Sequence, residues 1–489
     1  MSRERWHNRA AFVLAAIGSA VGLGNIWRFP YMAYNNGGGA FLIPYFFALL
    51  VIGIPVMIIE FGLGSKMQAG PSFALEKVKK GTGWIGWGAV IVSYLLVAYY
   101  AIIIAWCWVF LFKSITVAWA GHEKAFFFKQ ILQISKSPSS VGGFSIPVLI
   151  GSIITWVTIY LIIFKGLGPI GKVAKVTVVL PIILLAVIFV RGITLPGSIK
   201  GIIFYLQPDF SKLLNAGVWI SAFGQIFFSL SLGMGVMIAY SSFIPRNSDV
   251  NNNSFITCFA NCGVSFFAGF AVFTVLGYLS YATGQPFSKV VSSGIGLAFV
   301  VFPTAIAKMP LFKAGFGVIF FLTLLSLGIN SAFSLVEGFI TNLRDVIDIS
   351  KEKASFYVCL GAFLLGLIFT TKAGLYWLDI IDHYVANLGM VTVALVESIL
   401  VGWFFGVDRF RKMVNETSEI RLGKWFNVVV KYIIPITLIT MMIKYYYEEF
   451  QKPYGGYPVW ALIIGAGLVI SCFVISYFIN KKAVKKVSG

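Results

Sequence analysis

Charge is scarce in this sequence. Asp, Glu, Lys and Arg together supply 11% of its 489 residues, against about a quarter in ordinary soluble proteins. A chain so poor in charge, and 58% hydrophobic, does not read as a soluble globular domain. Histidine is scarcer still. His7, His122 and His383 are scattered and form no nucleophile–base set, so an enzyme is not expected. The cysteines, Cys107, Cys258, Cys262, Cys359 and Cys472, fall in or beside apolar runs without a metal-type spacing. They read as buried thiols acting as small apolar residues. The loop at 119–144 has neither a cysteine pair nor an Asn-x-Ser/Thr acceptor, which favours a bacterial or archaeal chain. No short apolar segment with a small-residue cleavage site opens the sequence, so no cleaved signal is expected.

What the sequence does have is apolar runs long enough to cross a bilayer, which takes about twenty residues each. Twelve are expected, at 9–34, 39–68, 84–118, 145–164, 172–191, 215–242, 253–282, 314–346, 354–370, 376–405, 426–449 and 457–480. Placing both termini in the cytoplasm leaves the larger share of the 38 Lys and Arg on the inner side, as the positive-inside rule requires. The net charge of +20 therefore needs no nucleic acid partner. The basic tail at 481–489, with Lys481-Lys482 and Lys485-Lys486, reads as an anchor facing anionic lipid in a cell membrane. Oligomeric state is left open. The segment 283–313, with Gly284, Pro286, Pro303 and Pro310, reads as a partly helical lid or a long loop.

Two of these runs are broken at matching places. Gly18-Ser19-Ala20-Val21-Gly22-Leu23-Gly24-Asn25 interrupts span one, and Ser229-Leu230-Ser231-Leu232-Gly233-Met234-Gly235 interrupts span six. Backbone groups freed inside hydrocarbon must find partners, so such breaks persist where protein, ions or water-filled space supply them. Paired breaks in two halves point to the binding site of a secondary transporter. The halves would be a first five-helix unit at 9–192 and a second at 215–405, followed by accessory helices at 426–480. The bland alternative for Gly18 and Gly22 is small-residue helix packing. Asn25 and the membrane-depth charge of Arg28 weigh against it.

The chain resembles the neurotransmitter:sodium symporter family over essentially its whole length. The resemblance rests on the run from Ala20 to Pro30, on Gly224-Gln225-Ile226-Phe227-Phe228-Ser229-Leu230-Ser231-Leu232-Gly233 in span six, and on Gly328-Ile329-Asn330-Ser331 in span eight. It implies an all-α membrane fold of about twelve helices, with two inverted five-helix repeats, broken helices one and six, and two extra C-terminal helices. It also implies sodium-coupled uptake of a small solute by alternating access.

Carried over residue by residue, a first sodium ion would be held by the Ala20 carbonyl, Asn25, Ser229 and Asn261. A second would be held by the carbonyls of Gly18, Val21 and Leu327 with Asn330 and Ser331. Position 330 departs from the acid or hydroxyl of many relatives, but an amide oxygen still suits a hard cation. The alternative makes Asn261 and Asn330 interhelical hydrogen-bond glue. Gly22 stands where monoamine-carrying relatives have an aspartate, which leaves room for an amino acid's carboxylate against the amides of Leu23 and Gly24. Tyr100 matches the tyrosine that meets that carboxylate, although adjacent Tyr99 leaves the register open. With Ala20 and Ser229 at its ion end, the pocket would be lined by Leu96, Phe228, Ser231, Met234, Ala332 and Leu335. A neutral, fairly large hydrophobic side chain fits such a lining, and Met234 can repack around several.

Arg28 with Asp382 would close the outer side, and Arg3 and Trp6 with Asp345 the inner side. Static ion pairs are the alternative. Glu60 would bind amides freed by both breaks. Chloride-independent relatives place a carboxylate near the first sodium, often at the position of Ser265, and no acid stands between Asp249 and Glu337. Tyr45, Gln225, Ser229, Asn261 and Ser265 are neutral groups that favour a chloride ion there. Other readings stay open: a carrier of a betaine or GABA-like solute, or a substrate sensor that does not transport. A channel is disfavoured by the closing aromatics.

Overall fold

The computed structural model describes residues 4–292 and 294–488, with side chains through Ala483. Every regular element among these residues is a helix, and the β pairing is one isolated bridge between Phe144 and Thr371. Ten helices are long and apolar enough to cross a membrane, and the bent pair Arg9–Ala20 and Leu23–Asn35 makes an eleventh span. Span six is divided into Ala216–Ser229 and Val236–Ser241. The structure is an all-α membrane protein of about twelve helices with broken spans one and six.

The outer face carries the composition that hydrocarbon demands. Val176, Ile183 and Val190 stand exposed on span five (Leu167–Ile193), and Ile436, Ile443 and Ile463 on spans eleven and twelve. Such surface is unfavourable in water and neutral in lipid. The interior is formed around spans one and six. Span three (Gly83–Ser114) packs along span eight (Lys313–Arg344), while span two packs against the second half of span six. In span two, a π-type turn at Leu49–Gly53 precedes Pro55, whose nitrogen offers no hydrogen to the preceding turn.

Two span ends lie beyond the hydropathy boundary. Span five begins at Leu167 because Gly166, at φ +84°, turns the chain directly into it. Span ten runs on past 405 through a turn at Gly406 (φ +88°) into Val407–Asn415, a charged surface helix. The segment at 283–313 is partly helical among its described residues, with Phe287–Val290, Gly294–Gly296 and Phe302–Lys308.

Candidate binding site at the two helix breaks

Asn8 accepts from Ala11 N (2.8 Å) and caps the first half of span one. The helix stops at Val21, extended at φ −77° and ψ 102°, and restarts at Leu23 after a 53° bend. Gly22 N–H, freed by the break, donates to Asn25 Oδ1 at 2.8 Å. Gly22 is close to its neighbours, since a Cβ there would stand 2.9 Å from Ser331 Oγ and 3.5 Å from Tyr100 Oη. In span six the chain turns through left-handed backbone at Ser231 (φ +54°), Gly233 (+73°) and Gly235 (+72°). For Ser231 this is a strained conformation of the kind that clusters at functional sites. Its hydroxyl reaches across to Ser19 O (3.3 Å), tying one break to the other.

Asn25 joins span one to spans six and seven. Its Nδ2 lies 3.3 Å from Ser229 Oγ, 2.9 Å from Asn261 Oδ1, 3.3 Å from Asn261 O and 2.7 Å from Ser265 Oγ. Two amide hydrogens are thus spread over four acceptor oxygens, all buried, and a converging excess of oxygen suits a hard cation. Asn261 Nδ2 also donates to Ser229 Oγ at 2.8 Å. Beside this cluster, the Tyr45 hydroxyl and both polar atoms of the Gln225 amide are buried without a protein partner. Tyr45 lies near Ser265.

A second polar cluster lies at the other end of the span-one break. Both side-chain polar atoms of Asn330 are buried without a partner. Gly18 abuts this amide so closely that a Cβ would collide with it. Ser331 Oγ donates to Ser19 O at 3.4 Å, and Leu327 stands one turn before them on span eight, buried. A buried amide with neither end satisfied is rare without a ligand.

A cavity of about 570 Å³ opens from these breaks. It is lined by Ala20, Gly22, Leu23, Gly24, Leu96, Tyr100, Phe228, Ser229, Ser231, Met234 and Leu335, as expected, and by Ser331 and Ile103. Ile103 follows Leu96 and Tyr100 at helical spacing and was legible from it. Ala332 does not line the cavity. It is fully buried on span eight, where Ser331 and Leu335 share the cavity face and residue 332 is rotated about 100° away. Both tyrosines line the cavity: Tyr100 meets Leu23 N–H and Ser331 at the span-one break, while the Tyr99 hydroxyl donates to Asp382 Oδ1 at 2.8 Å.

Arg28 and Asp382 face this cavity without forming an ion pair with each other. The guanidinium lies 4.6 Å from the centre of the Phe228 ring. Asp379, His383 and Tyr454 line its outer part, so the cavity reaches from the breaks to the loop between spans eleven and twelve. The other end is closed. Trp6 is buried and donates Nε1–H to Tyr240 O (2.9 Å), Arg5 Nη1 donates to Ile244 O (2.7 Å), and Asp345 accepts from Gly70 N (2.6 Å). Glu4 adds an ion pair with Arg344 at 3.2 Å. Arg3, expected in this closure, lies outside the described residues. Arg5 and Glu4 were not anticipated, because neighbouring charges ahead of the first span carry no periodicity.

Glu60 differs from its expected role. Its Oε1 accepts from Gly233 N at 2.8 Å in span six, but the freed Gly22 N–H of span one is taken by Asn25. The second Glu60 oxygen has no protein partner. Among the described residues no group of three or more His, Cys, Asp or Glu converges as a metal site.

The sequence profile of the sodium:neurotransmitter symporter family matches residues 3–125 and 120–486. A sodium-dependent transporter of Methanocaldococcus jannaschii, described as uncharacterised, is 44% identical over 482 residues, covering 98% of each chain. The sodium- and chloride-dependent GABA transporter 2 of Homo sapiens and that of Bos taurus are each 34% identical over 516 residues, covering 97% of this chain and 85% of theirs. Members of such a family carry small solutes across membranes with sodium and are not enzymes. With matches from end to end and both helix breaks in place, this chain belongs to the sodium:neurotransmitter symporter family.

Proposed function

We propose that the protein imports neutral, fairly large hydrophobic L-amino acids with two sodium ions, and that chloride supports binding. The observation that carries this reading is the cavity that opens at Gly22, whose part beside the helix breaks has no charged lining, its charges Arg28, Asp379 and Asp382 lying toward the Tyr454 end. Its polar end offers Tyr100, Ser331 and the amides of the Leu23–Trp27 helix to a carboxylate. Its walls, Leu96, Ile103, Phe228, Met234 and Leu335, are apolar. The first sodium ion takes the oxygen cluster around Asn25, Ser229 and Asn261 with the Ala20 carbonyl. The second takes Asn330, Ser331 and the carbonyls of Gly18, Val21 and Leu327. Chloride takes Tyr45, Gln225, Ser229, Asn261 and Ser265, whose buried donors suit an anion that balances a nearby cation.

The halves 9–192 and 215–405 act as inverted repeats that alternate access. Both termini lie in the cytoplasm of a bacterial or archaeal cell membrane. With the inner side closed and Arg28 apart from Asp382, the described arrangement is the outward-facing one. The energetics suffice. A tenfold sodium gradient and a potential of ~100 mV give about 7 kcal/mol for two ions, or accumulation by about 10⁵ before chloride cancels part of the charge.

A GABA-like substrate is the second reading, favoured by the GABA transporters among the relatives. Uptake of twenty amino acids and GABA into proteoliposomes, with and without sodium and chloride, separates the two. Accumulation of leucine-like or aromatic amino acids supports the proposal. Uptake of GABA with none of these overturns it, and sodium-dependent binding without accumulation identifies a sensor.

A further inference from the structure

We propose that Glu60 and Glu397 hold a proton between them inside the membrane, and that this proton keeps span ten docked on the span-six break. Both side chains are fully buried. Neither oxygen of Glu397 and one oxygen of Glu60 has a protein hydrogen-bond partner. The two acids come from different spans that converge on Gly233. Glu60 accepts from Gly233 N. A Cβ on Gly233 would stand 2.5 Å from Met390 O and 3.4 Å from Ala394 Cβ, one turn before Glu397 on the helix Val391–Ile399. The helix Val391–Ile399 also packs directly on the helix Ile54–Met67 that carries Glu60.

Among the described residues, the charged and titratable groups on the surrounding spans are engaged elsewhere. On span two, Lys66 donates to Arg246 O and Thr417. On span three, Tyr94 and Tyr99 bond Val358 O and Asp382, and on span six Tyr240 bonds Ser334. On span ten, His383 pairs with Glu449 and Asp408 with Arg411 and Lys412. On span eleven, Lys431 lies over Trp403 and Tyr432, and Lys444 pairs with Glu448. Two adjacent carboxylates cannot both ionise in such surroundings. Water can supply hydrogen bonds to them but not charge. A proton on Glu397, donated toward the free Glu60 oxygen, satisfies both groups and leaves Glu60 its bond to Gly233. Losing it would set two like charges against each other across spans two and ten, beside the break that the ions and substrate use.

The test is infrared spectroscopy of the full-length protein in lipid at neutral pH. A protonated-carboxyl band that shifts with deuterium and with carboxyl-¹³C glutamate, and that is lost or displaced by both Glu397→Gln and Glu60→Gln, supports the pair. Among the described residues the remaining buried glutamate, Glu337, is ion-paired with Lys351 and contributes a carboxylate band. The isotope label therefore carries the assignment if either variant fails to fold. A second readout is the sodium-dependent thermal stabilisation of the protein. In the wild type it falls at alkaline pH as the proton leaves, and in Glu397→Gln it stays level. A wild type without a protonated glutamate band, or a band that neither substitution moves, overturns the proposal, as does an alkaline loss equal in wild type and Glu397→Gln.

Discussion

Asn25→Ala removes a side chain that ties the span-one break to spans six and seven. Two groups then lose their partners: the half-buried Gly22 N–H, bonded to Asn25 Oδ1 at 2.8 Å, and the buried Asn261 Oδ1, 2.9 Å from Asn25 Nδ2. An orphaned buried polar group costs roughly 1–3 kcal/mol, so without sodium the variant should be about 2–6 kcal/mol less stable, toward the lower end because the half-buried Gly22 N–H borders the cavity. The sodium response is the more specific readout. An ion at a hundred times its Kd stabilises by about 2.7 kcal/mol per site, so losing one of two sites should halve the gain. Asn25→Asp makes the contrast. It keeps an acceptor for Gly22 N–H but turns a carboxylate toward Asn261 Oδ1 and Asn261 O. That variant should be unstable without sodium and gain more from it than the wild type. Thermal unfolding of purified protein, with sodium exchanged for potassium at constant ionic strength, measures all three. Equal sodium stabilisation of wild type and Asn25→Ala would refute the assignment.

Gly22→Asp should abolish amino-acid binding, because its Cβ would already stand 2.9 Å from Ser331 Oγ and its charge would repel a carboxylate; native affinity in equilibrium binding would place the carboxylate elsewhere. Ser331→Ala should weaken sodium-dependent binding through the second ion, a sodium titration of the variant being the check. Replacing chloride with gluconate should weaken substrate binding in the wild type, while Ser265→Glu should relieve that dependence with a fixed charge beside Asn25. A wild type indifferent to chloride would exclude the anion.

The spans were legible because their signal is long and one-dimensional: apolar residues in sufficient number, wherever they face. The breaks were legible through Gly22, Gly233 and Gly235, where close approach or left-handed backbone demands glycine. Helix ends beyond the hydrocarbon were not, as at Leu167 and past Gly406, where a glycine turn and charged residues continue the structure. Ala332 was misplaced because one residue of helix is about 100° of rotation, a difference that a motif does not carry. The approach of the Glu397 helix to the span-six break was beyond reach, since it depends on how span ten crosses Gly233.

The most direct test of sodium coupling through the two breaks is the dependence of substrate Kd on sodium concentration. It should be measured at constant ionic strength with the amino acid that the uptake panel selects. Two ions bound with each substrate predict that Kd falls by about two decades for each decade of sodium below saturation. A Kd that does not change when potassium replaces sodium would contradict the account.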